Sequence, residues 1–374
     1  MGKKITTVGI IGFNVMGAAI GLNAASSGYK VIYKELNDEL VSAMYDRWVT
    51  KALAKRVERG KLSQEDVDLI SGRITGTADF NELADCDLVI EAAVEKMDLK
   101  IEIFKQLSDV CRQDTILASN TSTFLIEKLM EKVDNPGRTA GLHYFFPANV
   151  NRLVEVIRQK NTSDETYEAL MEFSERNKKV PISVSDFPGF AINPVFISSY
   201  MVLCSLLGDK YNSATLDQVS QSALGVKYGI IWVLNGSGLG TAYHAAASMN
   251  EYLAGTDVGF PKTPAPLKEQ FESGNPFDLE TPASDDPKLL KAAEEELLGS
   301  VFCIATHLIE KRVVSKKDLE LGVRTALAWP KGPFTMMNEL GMEEAARLVQ
   351  LNVEKGNFKM PATFAKGVPE PWQI

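Results

Sequence analysis

The sequence predicts an α/β fold with a doubly wound, mainly parallel sheet, followed by an all-α domain with an internal repeat. Short apolar runs typical of strands alternate with helical stretches as far as about residue 186. Such alternation indicates parallel strands with helices on both faces of the sheet. From Phe187 onward, strand-like runs give way to the apolar spacing of helices. We therefore expect a domain boundary after Asp186.

The composition narrows the range of partners. A chain of 374 residues, 45% hydrophobic and 24% charged, is typical of a globular protein of two or three domains. A net charge of −9 argues against nucleic acid, because phosphate binding needs an excess of Lys and Arg. Three histidines and four scattered cysteines predict no metal site and a reducing compartment. No apolar run reaches the ~18 residues that span a bilayer, so we expect a cytoplasmic protein without a membrane partner.

The first strand-like run, "ITTVGIIG", leads into a glycine turn and an alanine-rich helix. In a G-x-G-x-x-G turn the first glycine allows the tight turn, the second admits a diphosphate and the third lets the helix pack on the strand. Gly12 and Gly17 fill the first and third positions, whereas Asn14 stands at the second. Asparagine tolerates a positive φ, so the turn should still form. Its side chain would, however, occupy space that a diphosphate uses.

A second strand, "YKVIYKE", completes a unit of about 30 residues, the size of a Rossmann-type dinucleotide-binding opening. Glu35 at its end would accept hydrogen bonds from ribose hydroxyls and repel a 2′-phosphate, which favours NAD over NADP. A doubly wound domain that binds no dinucleotide is the alternative. The predicted cofactor contacts in this unit are Gly12, Asn14, Val15, Met16, Gly17 and Glu35.

The helical half of the chain contains an internal repeat. The segment that starts at Ser222 matches the segment that starts at Thr325, an offset of 103 residues. Glycines and an asparagine recur at turn positions without a gap, which argues against chance. We predict domains over 1–186, over 187–296 with a Pro-rich linker, and over 297–374. A homodimer is one possible assembly, and a monomer in which the second repeat replaces the dimer contact is the other.

Four further motifs carry a family resemblance: "ADCDLVIEAAVEKMDLKIEIFKQL", "ILASNTST", "GLHYFFPANVNRLVEVIR" and "DFPGFAIN". Together they resemble the 3-hydroxyacyl-CoA dehydrogenase family, and "WPKGPF" resembles its C-terminal helical domain. Two helical units in tandem resemble the end of the multifunctional fatty-acid oxidation proteins. The resemblance implies NAD-dependent oxidation of an acyl-CoA substrate, from the 3-hydroxyacyl-CoA to the 3-oxoacyl-CoA.

His143 and Glu155 match the catalytic dyad of that family. Oxidation of a secondary alcohol requires a base, and an imidazole with a pKa near ~6.5 exchanges protons at neutral pH. Glu155 follows twelve residues later within the apolar run "LVEVI". A carboxylate is costly there unless it is paired. This argument supports the dyad independently of the resemblance.

Four other residues match family positions. Ser122 and Asn193 resemble residues that hydrogen-bond the reacting oxygen, and Ser122 also belongs to the predicted cofactor contacts. Glu95 and Lys100 resemble contacts on the nicotinamide and ribose sides. Ser122 and Asn193 each have a simpler interpretation, as the cap of the helix that follows.

A basic helix carries Lys51 and Lys55, which we predict to contact the phosphates of CoA. A solvated helix face is the alternative, because charged runs usually face water.

The chain departs from the family pattern at Asn14, at Phe146, where an asparagine is usual, and in the first repeat, where "YGIIW" replaces P-x-GPF. Phe146 and Trp232 motivate a second hypothesis, the same chemistry on a cyclic or aromatic acyl-CoA or a free 3-hydroxy acid. Asn14 and Phe146 motivate a third, a non-catalytic homologue.

Overall fold

The computed structural model describes residues 3–374, which form two compact units that meet in sequence between Asp186 and Phe187. The first unit is built on one sheet with the strand order β3-β2-β1-β4-β5-β6-β7-β8. Its strands are β1 (Thr7–Ile11), β2 (Lys30–Lys34), β3 (Ile74–Thr77), β4 (Leu88–Glu91), β5 (Ile116–Ser119), β6 (Thr139–Tyr144), β7 (Leu153–Arg158) and β8 (Val180–Ser185).

The sheet is parallel throughout except between β6 and β7. Its central strands are buried on both faces, for example at the neighbours Ile10 and Ile11 of β1 and Leu88 and Val89 of β4, which point to opposite faces. Helices on both faces produce this burial, which is why these strands read as continuous apolar runs. The strand order reverses between β1 and β4. The carboxyl ends of these two strands therefore enclose the crevice where open α/β sheets bind ligands.

The helices of the first unit follow the predicted alternation. They are α1 (Val15–Ser26), α2 (Asp38–Met44), α3 (Lys51–Glu58), α4 (Gln64–Ser71), α5 (Met97–Val110), α6 (Ile126–Leu129) and α7 (Asp164–Arg176). The doubly wound sheet predicted from the sequence is thus confirmed.

Strand β3 was not predicted, because the sequence up to Ile74 reads as the end of a helical stretch. It is a four-residue edge strand that pairs only with β2, and Ile74 is its one buried residue. So short and polar a strand leaves almost no alternation to read. Gly76 is required by its neighbour, since a Cβ there would lie 2.5 Å from the ring of Tyr33.

The second unit is helical. Its helices are α8 (Ile192–Leu206), α9 (Ser213–Leu224), α10 (Ile230–Ser237), α11 (Leu239–Leu253), α12 (Ala265–Ser273), α13 (Pro287–Glu310), α14 (Lys316–Ala326), α15 (Pro333–Leu340), α16 (Met342–Glu354) and α17 (Ala362–Ala365). The division predicted between residues 296 and 297 falls inside α13, a continuous helix of 24 residues. Within residues 3–374, no helix has the length and apolar character that crossing a membrane requires.

The repeat appears in the structure as a repeated capping arrangement. The carboxylate of Asp217 accepts a hydrogen bond from the backbone N–H of Trp232 at 2.7 Å. Its counterpart 103 residues later, Glu320, accepts one from the N–H of Thr335 at 3.2 Å. A glycine precedes each capped helix, because a Cβ there would lie 2.3–2.5 Å from the carboxylate group (Gly229 and Gly332).

A second repeated contact involves the paired asparagines. Asn235 exchanges two hydrogen bonds with the backbone of Phe277, at 2.9 and 2.8 Å. Asn338 makes the same exchange with the backbone of Trp372, at 2.9 and 2.8 Å. Each repeat thus ties its capped helix to a later segment of the chain in the same way.

Candidate active site

The side chains of His143 and Glu155 form a buried pair. The antiparallel register of β6 and β7 places these two residues directly opposite each other, so their side chains project from the same face of the sheet. The distance from His143 Nδ1 to Glu155 Oε2 is 2.7 Å. His143 is 3% exposed and Glu155 is fully buried. Hydrogen bonding to the carboxylate assigns the ring proton to Nδ1, which leaves Nε2 as the proton-accepting nitrogen of the neutral ring.

Ser122 lies on the other side of the imidazole. It is exposed, in the loop that follows β5, and its Oγ is 3.1 Å from His143 Nε2. The alternative that Ser122 caps a helix is wrong, since α6 begins only at Ile126. The carboxylate of Asp186 accepts from the first N–H groups of that helix instead, and burial raises the pKa of Asp186.

Glu95 holds the loop that carries Ser122. Its carboxylate accepts hydrogen bonds from Thr121 Oγ1 at 2.5 Å, from Thr123 Oγ1 at 3.0 Å and from the N–H of Ser122 at 3.2 Å. Burial alone would raise the pKa of Glu95. The charge of Lys100 and these hydrogen bonds outweigh burial and lower the pKa, so the carboxylate is ionised.

Lys100 is enclosed by the protein, with only 1% of its surface exposed. Its Nζ lies 2.6 Å from Glu91 Oε1 and 3.1 Å from Glu95 Oε2. Glu91 also accepts from Ser119 Oγ at 2.6 Å. The ammonium of Lys100 therefore faces carboxylates of its own chain. Its direct effect is on the position of Glu95, and through Glu95 on the Ser122 loop.

Two positioning residues were missed by the sequence reasoning. Asn120 accepts a hydrogen bond from the N–H of Tyr144 at 2.8 Å, next to His143. Lys179 donates to the carbonyls of Ala148 at 2.5 Å and Asn151 at 2.9 Å, in the loop that joins β6 to β7. Asn120 stands inside the quoted motif "ILASNTST" and could have been singled out. Nothing in the sequence pairs Lys179 with that loop.

The predicted glycine turn is present at the start of α1, with Gly12 and Gly17 at its first and third glycine positions. Gly12 has a φ of +83°, which favours glycine, and a Cβ there would lie 3.2 Å from the carbonyl of Ala92. A Cβ at Gly17 would lie 1.9 Å from the carbonyl oxygen of Gly12, a collision that only glycine avoids. The turn therefore needs glycine at both positions.

Asn14 does not adopt the positive φ that the sequence suggested. Its φ is −77° and its ψ is −164°, an extended conformation open to any residue. The reason for asparagine lies in its side chain, which caps α1. Oδ1 accepts from the N–H groups of Met16 at 3.0 Å and Gly17 at 3.2 Å, and Nδ2 donates to the carbonyl of Ala92 at 2.7 Å.

A cavity of about 480 Å³ opens beside this turn at the carboxyl ends of β1, β2 and β4. Glu35 lies on its wall and accepts a hydrogen bond from the N–H of Phe13 at 2.6 Å. Leu36, Val94 and Leu99 give it exposed apolar surface. A carboxylate beside an apolar cavity, next to a helix N-terminus, fits the adenosine and diphosphate parts of a dinucleotide.

The remaining predicted contacts lie on helices α3 and α8. Lys51 and Lys55 are exposed on α3, and Lys51 pairs with Asp46 at 2.5 Å. Asn193 lies in the first turn of α8 in the second unit, where Ala191 holds the N-cap position. The simpler interpretation of Asn193 as that helix's cap is therefore wrong.

Neither of the other histidines forms part of a metal cluster. Among residues 3–374, no group of three His, Cys, Asp or Glu side chains is arranged to hold a metal ion. His307 is buried in the second unit, with Nε2 2.9 Å from the carbonyl of Lys359, and burial lowers its pKa.

Comparison with known proteins extends these observations. The sequence model of a protein family, described as the NAD-binding domain of 3-hydroxyacyl-CoA dehydrogenase, matches residues 7–187. The fatty acid oxidation complex subunit alpha of Colwellia psychrerythraea is 32% identical over 248 residues, which is 66% of this chain and 34% of that protein. The chain therefore spans about a third of the length of this relative.

Two solved structures show the extent of the likeness. An (S)-3-hydroxybutyryl-CoA dehydrogenase from Ralstonia eutropha is 30% identical with a TM-score of 0.68, over 72% of this chain and 95% of the other. A 3-hydroxybutyryl-CoA dehydrogenase from Escherichia coli has a TM-score of 0.84 over 94% of this chain and 95% of the other. Its identity of 22% supports a likeness of fold alone.

Proposed function

This chain belongs to the 3-hydroxyacyl-CoA dehydrogenase family, with NAD as cofactor, and on that premise we propose that it oxidises a 3-hydroxyacyl-CoA to the 3-oxoacyl-CoA. The observation that carries the proposal is the buried pair of His143 and Glu155, with Ser122 at the free nitrogen of the ring. A surface histidine would need neither an opposing carboxylate nor a buried strand position.

His143 Nε2 is the base in this proposal and takes the proton of the 3-hydroxyl group. Glu155 holds Nδ1–H in place and stabilises the imidazolium that forms. Bound NAD would accept the hydride from C3, while the O–H electron pair becomes part of the new carbonyl bond. One proton and one hydride leave the alcohol, so atoms and charge balance.

In this proposal Ser122 donates a hydrogen bond to the oxygen that becomes the carbonyl. Its Oγ is already within 3.1 Å of His143 Nε2, the atom that must approach the same oxygen. We assign Lys51 and Lys55 to the phosphates of CoA, as the family resemblance implies. Glu95 and Lys100 support the Ser122 loop through the contacts described above.

The test is NADH formation, followed by absorbance, with a panel of 3-hydroxyacyl-CoA thioesters that differ in acyl length and shape. We expect turnover with at least one linear or bulky thioester and none with the corresponding free acids. Absence of turnover with every thioester, together with absence of NADH binding at millimolar cofactor, would favour a non-catalytic homologue.

A second candidate is the same chemistry on a cyclic or aromatic acyl-CoA. Two observations favour it, one in the first unit and one in the second. Phe146 is 61% exposed at the position where the family has asparagine. Tyr228 and Trp232 stack with their ring centroids 4.2 Å apart, and both are nearly half exposed. A higher kcat/KM for 3-hydroxybutyryl-CoA than for aromatic thioesters would contradict this candidate.

A further inference from the structure

The amide groups at the start of α1 are already occupied by a side chain of the same chain. Asn14 Oδ1 accepts from the N–H groups of Met16 and Gly17. The first N–H groups of a helix have no partner within the helix, and at this turn they are the donors available to a diphosphate. Asn14 therefore takes two donors of the kind that a dinucleotide would use.

The same side chain also bridges the crevice of the sheet. Nδ2 donates to the carbonyl of Ala92 at 2.7 Å, so the amide joins the start of α1 to the residue that follows β4. Strand order reverses between β1 and β4, and ligands of such sheets bind at this reversal. Asn14 is exposed, so a ligand can reach it and displace it.

We propose that Asn14 is an intramolecular competitor of the NAD diphosphate and lowers the affinity of this turn for the cofactor. The proposal rests on the assignment of NAD to this domain. Gly12 and Gly17 retain the tight turn and the close packing of α1, so the backbone of the turn is intact. Binding of NAD then requires Oδ1 to leave Met16 and Gly17 and Nδ2 to leave Ala92.

The experiment measures the Kd of NADH by fluorescence titration, without any thioester, for the wild-type chain, Asn14→Gly and Asn14→Asp. We expect Asn14→Gly to bind NADH ~3- to 10-fold more tightly, the range that corresponds to freeing about one net hydrogen bond. Asn14→Asp should bind more weakly, because its charge stays beside the diphosphate.

Thermal unfolding of the same proteins without cofactor separates competition from general damage. Loss of the cap and of the bridge should lower the Tm of Asn14→Gly while its NADH affinity rises. Asn212→Gly is the matched control. Asn212 caps α9 through the N–H of Thr215 and donates to the carbonyl of Pro282, so its loss should lower the Tm and leave the Kd unchanged.

Weaker or unchanged NADH binding by Asn14→Gly would overturn the proposal, and so would absence of binding by both proteins. Binding by Asn14→Gly alone would support it. The titration contains no thioester, so its result does not depend on whether the protein oxidises an alcohol. The proposal on Asn14 and the proposed function can therefore fail separately.

Discussion

The centre around His143 and the turn around Asn14 lie on the same sheet but differ in what they require of a ligand. At His143, the ring nitrogens already have a carboxylate on one side and a hydroxyl on the other, and the ring is buried. At the turn, the donors at the start of α1 are satisfied by an exposed side chain of the chain itself. One region is arranged in advance for chemistry, and the other must open to admit its cofactor.

The difference follows from how each region is built. Strand register fixes the His143 centre, because β6 and β7 cannot slip by one residue without turning every buried side chain to the opposite face. The turn is fixed by Gly12 and Gly17, and in our proposal the side chain of Asn14 between them sets its affinity for NAD. Changes at the dyad should therefore alter turnover, and changes at the turn should alter cofactor binding.

Among the residues that support His143, Glu155 should have the largest effect on turnover when it is changed to Gln. An amide in place of the carboxylate allows the wrong tautomer of His143 and no longer stabilises the imidazolium. In a comparable triad the corresponding change lowers kcat about 10⁴-fold, and we expect a fall of roughly 10³- to 10⁴-fold here. Steady-state NADH formation measures it, with NADH affinity as the control. A kcat within tenfold of the wild type would remove Glu155 from the mechanism.

Ser122→Ala should lower kcat about 10²-fold, the loss usual for one donor to a reacting oxygen. The effect should fall on kcat more than on KM, because the bond strengthens as the oxygen becomes a carbonyl. Thr123→Val is a suitable control, since Thr123 also bonds Glu95 but has no contact with His143 among the described hydrogen bonds. Equal losses in the two variants would mean that Ser122 acts only by ordering the loop.

Gly17→Ala tests the turn. The added methyl group would lie 1.9 Å from the carbonyl oxygen of Gly12, so the turn must open to accommodate it. We expect NADH affinity to fall about tenfold or more and the Tm to fall by several degrees. Gly236→Ala in α10 is the control, since a Cβ there meets nothing within 4 Å. If Gly17→Ala binds NADH like the wild type, the tight turn is not needed for the cofactor.

Lys179→Met should have the smallest effect, which falls on thermal stability and on the way that stability depends on pH. Burial, with the charge of Arg152, lowers its pKa from the usual 10.5 to about 8. Below pH 8 the folded protein holds a buried charge at a cost. As pH rises from 8 toward 10.5 the folded state loses this proton before the unfolded state does, so the cost declines. The Tm of the wild type relative to Lys179→Met should therefore rise by a few degrees between pH 8 and pH 10. If the Tm of the two proteins changes in parallel with pH, this prediction is contradicted.

Much of the fold was predictable because it depends on local pattern. The central strands are continuous apolar runs, and Glu155 stood out as a carboxylate within one of them. The edge strand β3 was missed because it has one buried residue and no alternation. The family and its NAD-binding domain, which the motifs predicted, are confirmed by the matches to residues 7–187 and to the Ralstonia enzyme.

The less predictable features depend on contacts between distant residues. A sequence gives no φ and ψ for Asn14, so its capping role was mistaken for a tolerance of positive φ. Lys100 was assigned to the cofactor, yet its burial between Glu91 and Glu95 appears only after β4 and α5 pack together. Lys179 lies 28 residues or more from the carbonyls it holds. The roles of Asn193, Lys51 and Lys55 remain predictions.

The measurement that bears most directly on the account is NADH formation by His143→Gln with the best thioester substrate, alongside its NADH affinity. We predict a fall in kcat of roughly 10³-fold or more, as expected on loss of a base that acts with its partner as a unit. The Kd for NADH should stay within about twofold of the wild type, because the turn is untouched. Turnover near the wild-type rate would contradict the assignment of His143 as the base.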